Sequence, residues 1–221
     1  MTLIRVLASV VVGYALGAVP TGFIMAKIIC GADVRRVGSG HTGGSNVVRA
    51  VGSVWAGIAT AVIDLALGGI AVYLGRRLLG ASSGGSCSGV AAIIGHDWSI
   101  YIGLAGGIGM SSLSGMLLAQ APLPTVAAGC GFIVVWLALR KLLHHEARST
   151  IIALPIVPLL LLALGQPWEV LVSAAVGALV VMAKSATDWH RTYGPNEGTL
   201  HQFGLQSAVR PAPDQIRRSG S

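Results

Sequence analysis

Residues 124–143, PTVAAGCGFIVVWLALRKLL, carry no charge before Arg140. About 20 apolar residues in a helix cross the hydrocarbon core of a bilayer, so this stretch reads as a membrane span. Six further runs of the same character lie on either side, at 3–29, 53–75, 84–96, 107–121, 149–165 and 168–187. Those at 84–96 and 107–121 are short. Composition supports this reading: of 221 residues, 53% are hydrophobic and only 10% charged, with a mean hydropathy of +0.75. A soluble domain carries about 25% charged residues. The expected fold is therefore an all-α polytopic membrane bundle of about seven spans with glycine-rich cytoplasmic loops. The first apolar run lacks a short apolar region followed by a cleavage site, so it reads as a span rather than a signal peptide.

The 31 glycines suit helices that pack backbone to backbone in lipid. Cys30, Cys87 and Cys130 lie far apart among apolar or small residues, which fits neither a disulfide framework nor metal-ligand spacing, and they read as small packing residues. The net charge of +7 fits basic residues gathered on one membrane face, an anionic substrate, or both, and nucleic acid is not expected as a partner.

Seven spans place the termini on opposite sides. With the N-terminus outside, Lys27, Arg35, Arg36, Arg49, Arg140, Lys141, Arg148, Lys184, Arg191, Arg210, Arg217 and Arg218 fall inside, and only Arg5, Arg76 and Arg77 outside. The positive-inside rule then puts the loops at 30–52, 95–107 and 140–148, with the tail, in the cytoplasm. Residues 1–190 form the membrane domain in this reading. Residues 191–221 form a polar cytoplasmic tail too short for its own core, partly disordered.

Two loops hold most of the polar chemistry. Val37-Gly38-Ser39-Gly40-His41-Thr42-Gly43-Gly44-Ser45-Asn46-Val47-Val48-Arg49 is rich in glycine and hydroxyls and leads into an apolar helix. Glycine lets backbone N–H groups approach an anion, a helix N-terminus adds a favourable dipole, and Arg49, about one turn beyond Ser45, offers a charged fork. Such a loop can also simply turn the chain and cap a helix, but its density of hydroxyls beside an arginine favours a phosphate cradle. It is not a P-loop, because the Gly-Lys-Ser/Thr ending is absent.

The second loop runs from Gly95-His96-Asp97-Trp98-Ser99 to Gly106-Gly107-Ile108-Gly109, between the two short segments. Irregular backbone at membrane depth persists only where protein buries it or a wet cavity adjoins it. His96 reads as a residue that orients the loop rather than as a base. Gly106, Gly107 and Gly109 either offer backbone donors to an anion or allow tight packing; both readings stand. Asp64, inside the second span, is either a functional group paired with Arg49 or Lys184 or a buried structural hydrogen-bonder. His144-His145-Glu146 reads as a solvated turn.

On these residues the sequence resembles the bacterial acyl-phosphate:glycerol-3-phosphate acyltransferase family. The likeness runs through Gly17-Ala18-Val19-Pro20-Thr21-Gly22, Asp33-Val34-Arg35-Arg36-Val37-Gly38-Ser39-Gly40, Gly43-Gly44-Ser45-Asn46-Val47-Val48-Arg49 and Ala91-Ala92-Ile93-Ile94-Gly95-His96-Asp97-Trp98-Ser99. The resemblance implies transfer of an acyl group from acyl phosphate to glycerol 3-phosphate, giving lysophosphatidic acid and phosphate at the cytoplasmic face of a bacterial plasma membrane. It implies Ser39 and Arg49 as leading site residues. Gly40, His41, Gly43, Ser45, Asn46, His96, Gly106, Gly107, Gly109, Lys184 and Arg191 would contact substrate phosphates. No metal or dissociable cofactor is implied, and substrate phosphate is able to take the hydroxyl proton. Ser39 is not cast as a nucleophile, because no His/Asp relay accompanies it at recognisable spacing.

Some positions depart from the family pattern: His41 stands where Asn is usual, and Leu67, Ala105 and Ile108 where basic or polar residues are usual. These departures define a second reading, a relative that binds a phosphorylated lipid precursor or serves as a partner subunit. A transporter would carry internal repeats, and none is visible.

Overall fold

The computed structural model describes residues 3–80 and 82–191. Much of the tail at 191–221 thus lies outside the described residues. The chain forms helices α1 (Leu3–Gly17), α2 (Thr21–Cys30), α3 (Gly44–Val51), α4 (Val54–Leu79), α5 (Ser82–Asp97), α6 (Met110–Gln120), α7 (Pro122–Leu143), α8 (Glu146–Ala153), α9 (Ile156–Ala163) and α10 (Trp168–Ser185). Short 3-10 turns lie at Val34–Arg36, Ile100–Ile102 and Ala186–Asp188. Among the described residues the one β-type pairing is an isolated bridge between Ser99 and Ala105.

Five helical segments are long and apolar enough to cross a bilayer: Leu3–Cys30, Val54–Leu79, Pro122–Leu143, Glu146–Ala163 and Trp168–Asp188. Helices α5 and α6, at 16 and 11 residues, fill the two short segments read from the sequence. Large apolar side chains on the outer faces, such as Leu123, Val134, Leu159 and Leu179, are exposed, the inverse of a soluble core and the state a lipid solvent favours.

Sequence features set the helix ends. Ser53 caps α4 by accepting the Ala56 N–H, and Gly80 closes it in the left-handed conformation. Pro122 starts α7 at a position where its missing N–H costs nothing. The first and sixth spans expected as continuous are each broken. Pro20 separates α1 from α2 and Pro155 sits between α8 and α9, because proline cannot donate to the preceding turn.

Small residues bring the central helices together. A Cβ added at Gly17 of α1 would collide with the Ala92 carbonyl of α5, and one at Gly115 of α6 with the Leu65 carbonyl of α4. Helices α1, α4, α5 and α6 thus pack closely, and α7–α10 close around the apolar core of Ile93, Met116, Leu117, Leu154 and Leu161. A smaller cluster of Ala26, Val34, Val47 and Ala56 lies beneath the first glycine loop.

The cysteines do not pack in the interior as expected: Cys30, Cys87 and Cys130 are all exposed. A small apolar residue is as welcome on a lipid-facing helix surface as in a helix interface. Nor is the 144–146 turn simply solvated. His145 is buried as the N-cap of α8, where its Nδ1 accepts the Arg148 N–H at 3.3 Å.

Candidate active site

The first glycine loop is folded around one side chain. Asn46, 2% exposed, directs Nδ2 at the carbonyls of Val34, Val37 and His41, at 3.0, 2.9 and 2.8 Å. Its Oδ1 accepts the Ser39 N–H at 3.2 Å. Gly38 has a φ of 49°, and a Cβ there would meet Asn46 Oδ1 and, at 2.9 Å, the Arg49 Cδ. Glycine therefore serves both the turn and the passage of the Arg49 stem across it. Asp33 braces the loop entrance by pairing with Arg35, and that hydrogen-bonded guanidinium holds the Asp33 carboxyl down at about 2.

The loop ends at the start of α3. Its N-cap residue is Gly43, which has no side chain to bond the first-turn N–H groups of Gly44 and Ser45. This helix start opens onto a cavity of about 340 Å³ lined by Ser39, His41, Gly43, Ser45, Asn46, Arg49, His96, Gly109 and Arg191. Asp64, Ile108, Ser111, Phe132, Trp136, Glu146, Ser185 and Asp188 complete much of its wall.

The second loop buttresses the first. Arg35 donates to the Ile102 carbonyl at 3.2 Å, and the Thr42 N–H to the Gly106 carbonyl at 3.1 Å. Gly106 and Gly107 pack on the end of α5, where a Cβ on Gly106 would strike the His96 and Asp97 carbonyls and one on Gly107 the His96 ring. The Gly107 N–H is already bonded to the His96 carbonyl at 3.0 Å. Of the two readings for these glycines, Gly106 and Gly107 take close packing, and Gly109 alone lines the cavity. The loop is also tied to the α1–α2 break, since Ser99 Oγ donates to the Ala18 carbonyl and Tyr14 OH to that of Trp98 at 2.7 Å.

Asp64 is partnered differently from the expectation of Arg49 or Lys184. Thr21 Oγ1 donates to Asp64 Oδ1, and His96 Nδ1 stands 3.7 Å from the same oxygen. The Pro20 break frees the start of α2 to face α4, which is why threonine reaches the carboxyl. His96 is thus fixed between Asp64 and Gly107.

Neither Gly40 nor Lys184 lines the cavity. Lys184 is 7% exposed, with its ammonium 5.1 Å from the Trp98 ring centre, so it joins α10 to the second loop. Asp188, just past the last span, stands on the cavity wall. Its Oδ2 lies 2.9 Å from His41 Nε2 across 147 positions of sequence, a separation that no local motif reveals. The neighbouring Trp189 carbonyl receives two bonds from Arg148, at 3.2 and 3.1 Å, which pins the end of α10 to α8. Among the described residues no three His, Cys, Asp or Glu side chains converge as a metal site would require.

Comparison with known proteins agrees with this architecture. A family model described as glycerol-3-phosphate acyltransferase matches residues 7–193. Glycerol-3-phosphate acyltransferase 2 of Moorella thermoacetica is 31% identical over 205 residues, covering 91% of this chain and 99% of its own. The glycerol-3-phosphate acyltransferase of a Synechococcus species is 35% identical over 195 residues, covering 88% and 93%. Among solved structures, the integral membrane glycerol 3-phosphate acyltransferase PlsY in its glycerol 3-phosphate form superposes with a TM-score of 0.71 at 28% identity, over 84% of this chain and 90% of that one. With the family model spanning nearly all of the membrane bundle and both loops that build the cavity, the chain belongs to the glycerol-3-phosphate acyltransferase family.

Proposed function

We propose that the protein transfers an acyl group from an acyl phosphate to glycerol 3-phosphate, releasing phosphate and lysophosphatidic acid at the cytoplasmic face of a bacterial plasma membrane. The observation that carries this reading is the uncapped start of α3 on the cavity, with Arg49 one turn along the same helix. Free N–H groups, a helix dipole and a guanidinium converge there, which is a site for a phosphate.

In this reading Arg49 and the N–H groups of Gly44 and Ser45 hold one substrate phosphate, and Arg191, which lines the same cavity from beyond α10, meets the other. Ser39, oriented by its bond to Asn46, positions substrate by hydrogen bonding. Asn46 itself acts through the loop, because its amide is spent on three carbonyls. The glycerol hydroxyl attacks the acyl carbonyl, the tetrahedral oxyanion collapses, and the carbon–oxygen bond to phosphate breaks. Pairing developing charge with preoriented donors is worth about 10²–10³ in rate for a single donor.

The acyl chain has a path of its own. An apolar cavity of about 180 Å³ between α6, α7 and the α8–α9 pair is lined by Leu117, Leu118, Val126, Gly129 and Val157, and shares Met110 and Phe132 with the polar one. A chain lying there would lead its carbonyl end toward the polar cavity, past the shared Met110 and Phe132. The positive-inside rule, applied with the N-terminus outside, puts the polar cavity in the cytoplasm, where a soluble phosphorylated acceptor is available. The named relatives favour catalysis over a binding-only role.

The test is turnover by purified protein in bilayers given palmitoyl phosphate and glycerol 3-phosphate, read as phosphate release and labelled lysophosphatidic acid. Product that falls at least about 100-fold in Arg49→Ala, with the fold intact, supports the reading. A folded wild-type protein that makes no product would leave binding as its role.

A further inference from the structure

The strap that follows α10 carries two residues to the polar cavity, Asp188 and Arg191, with Trp189 between them in sequence. Two turn bonds shape it: the Trp189 N–H donates to the Ala186 carbonyl and the Arg191 N–H to that of Asp188, each at 3.1 Å. The Trp189 carbonyl lies at the negative end of the α10 dipole and accepts from Arg148 Nε and Nη2, at 3.2 and 3.1 Å. The same guanidinium stands 5.2 Å from the centre of the Trp189 ring. Arg148 therefore grips one residue by both its backbone and its side chain.

Arg148 is half-buried and does not line the cavity, whereas Glu146, Ala147 and Thr150 of the same helix do. Helix α8 thus gives some residues to the site and others to the strap. His145, its N-cap, also bears on the backbone of Trp189 and Arg191. Asp188 in turn ties the strap to the first loop, with Oδ2 2.9 Å from His41 Nε2.

Resting on the phosphate site proposed above, we infer that Arg148 is a positioning residue for substrate binding: by clamping Trp189 it sets where Arg191 stands against a substrate phosphate. Arg191 is two residues past the clamp, so a fixed Trp189 leaves little backbone freedom between the anchor and the cation. Without the clamp that segment must be ordered when substrate binds, and the ordering weakens binding. The role calls for arginine. Two N–H groups on one edge of a guanidinium converge on a single carbonyl while its plane lies against the indole, which the point charge of lysine cannot reproduce.

The experiment is a double-mutant cycle in the full-length protein in bilayers: wild type, Arg148→Ala, Arg191→Ala and the double variant. It reads kcat, KM for each substrate and the thermal midpoint. Arg148→Ala is expected to raise, by about 10-fold, the KM for the same substrate that Arg191→Ala weakens, with kcat within a few-fold. The double variant is expected to match Arg191→Ala, because the clamp then has no cation left to place. Arg148→Lys keeps the charge and loses the fork, so it is expected to raise the same KM by a few-fold, and it supplies the cycle if the alanine variant melts early. Effects that add in the double variant would overturn the inference and leave Arg148 a structural brace. A wild-type KM in folded Arg148→Ala, or a rise confined to the other substrate, would also overturn it. Calorimetric binding of glycerol 3-phosphate and of a non-reacting acyl phosphonate repeats the cycle without turnover. A wild type that binds but makes no product removes the acyl-transfer reading and leaves the clamp to be judged on Kd, whereas one that neither binds nor turns over removes both.

Discussion

Asn46 holds Ser39 in place through its own side chain, whose Oδ1 accepts the Ser39 backbone N–H at 3.2 Å while Nδ2 faces three carbonyls of the same loop. Asn46→Asp puts an acceptor oxygen where those carbonyls need a donor. A buried group left unpaired costs about 1–3 kcal/mol. The thermal midpoint in detergent is expected to fall together with activity, whereas Arg49→Ala loses activity with little change in midpoint. Equal midpoints for Asn46→Asp and wild type would show that the loop does not depend on this clamp.

Gly107 and Gly43 make opposite demands. A Cβ on Gly107 collides with the His96 ring, while one on Gly43 meets nothing within 4 Å at a φ of −75°. Gly107→Ala is expected to displace His96 and lower the melting midpoint by several degrees, as a loss of about 1–3 kcal/mol from overpacking does. Gly43→Ala is expected to melt with the wild type. Comparable midpoints for the two variants would contradict the packing described.

Gly129 borders the apolar cavity, and an added Cβ there meets nothing within 4 Å. Gly129→Leu should therefore fold normally and fill space the acyl chain would use. The ratio of kcat/KM for palmitoyl phosphate to that for an octanoyl phosphate is expected to drop by about 10-fold or more, the discrimination that a few methylenes carry in an apolar pocket. An unchanged ratio would place the chain elsewhere.

His145 links stability to pH. Burial, and next the nearby Arg148 cation, lower its pKa below the ordinary value of about 6.5. The folded state then binds fewer protons than the unfolded one, so this contribution is fully present above pH 6.5 and is lost as pH falls toward the folded pKa. Acidification from pH 7.5 to 5 is expected to lower the midpoint of the wild type more than that of His145→Asn. Parallel shifts in the two proteins would exclude His145 as the cause.

Much of this architecture is legible in the sequence because lipid imposes a one-dimensional rule. The run at 124–143 became α7 at Pro122–Leu143, and 168–187 became Trp168–Ser185, since length and apolar character alone define a span. The breaks at Pro20 and Pro155 were harder to see, because proline inside an apolar run either kinks or ends a helix and only the neighbours decide. In the site, the convergence of Ser39, Arg49 and the α3 start follows from their closeness in sequence. The Thr21–Asp64 and His41–Asp188 contacts do not. They join residues 43 and 147 positions apart through packing that no local pattern encodes.

The long reach from residue 41 to residue 188 also bears on when the enzyme comes into being. Helices are made and inserted from the amino terminus, so the cradle of α3 exists in the membrane before α10 leaves the ribosome. Until that last helix docks, the cavity lacks the wall that carries Asp188 and Arg191. A nascent or prematurely terminated chain consequently carries an open half-site, and the cavity is closed only once the last helix is in place.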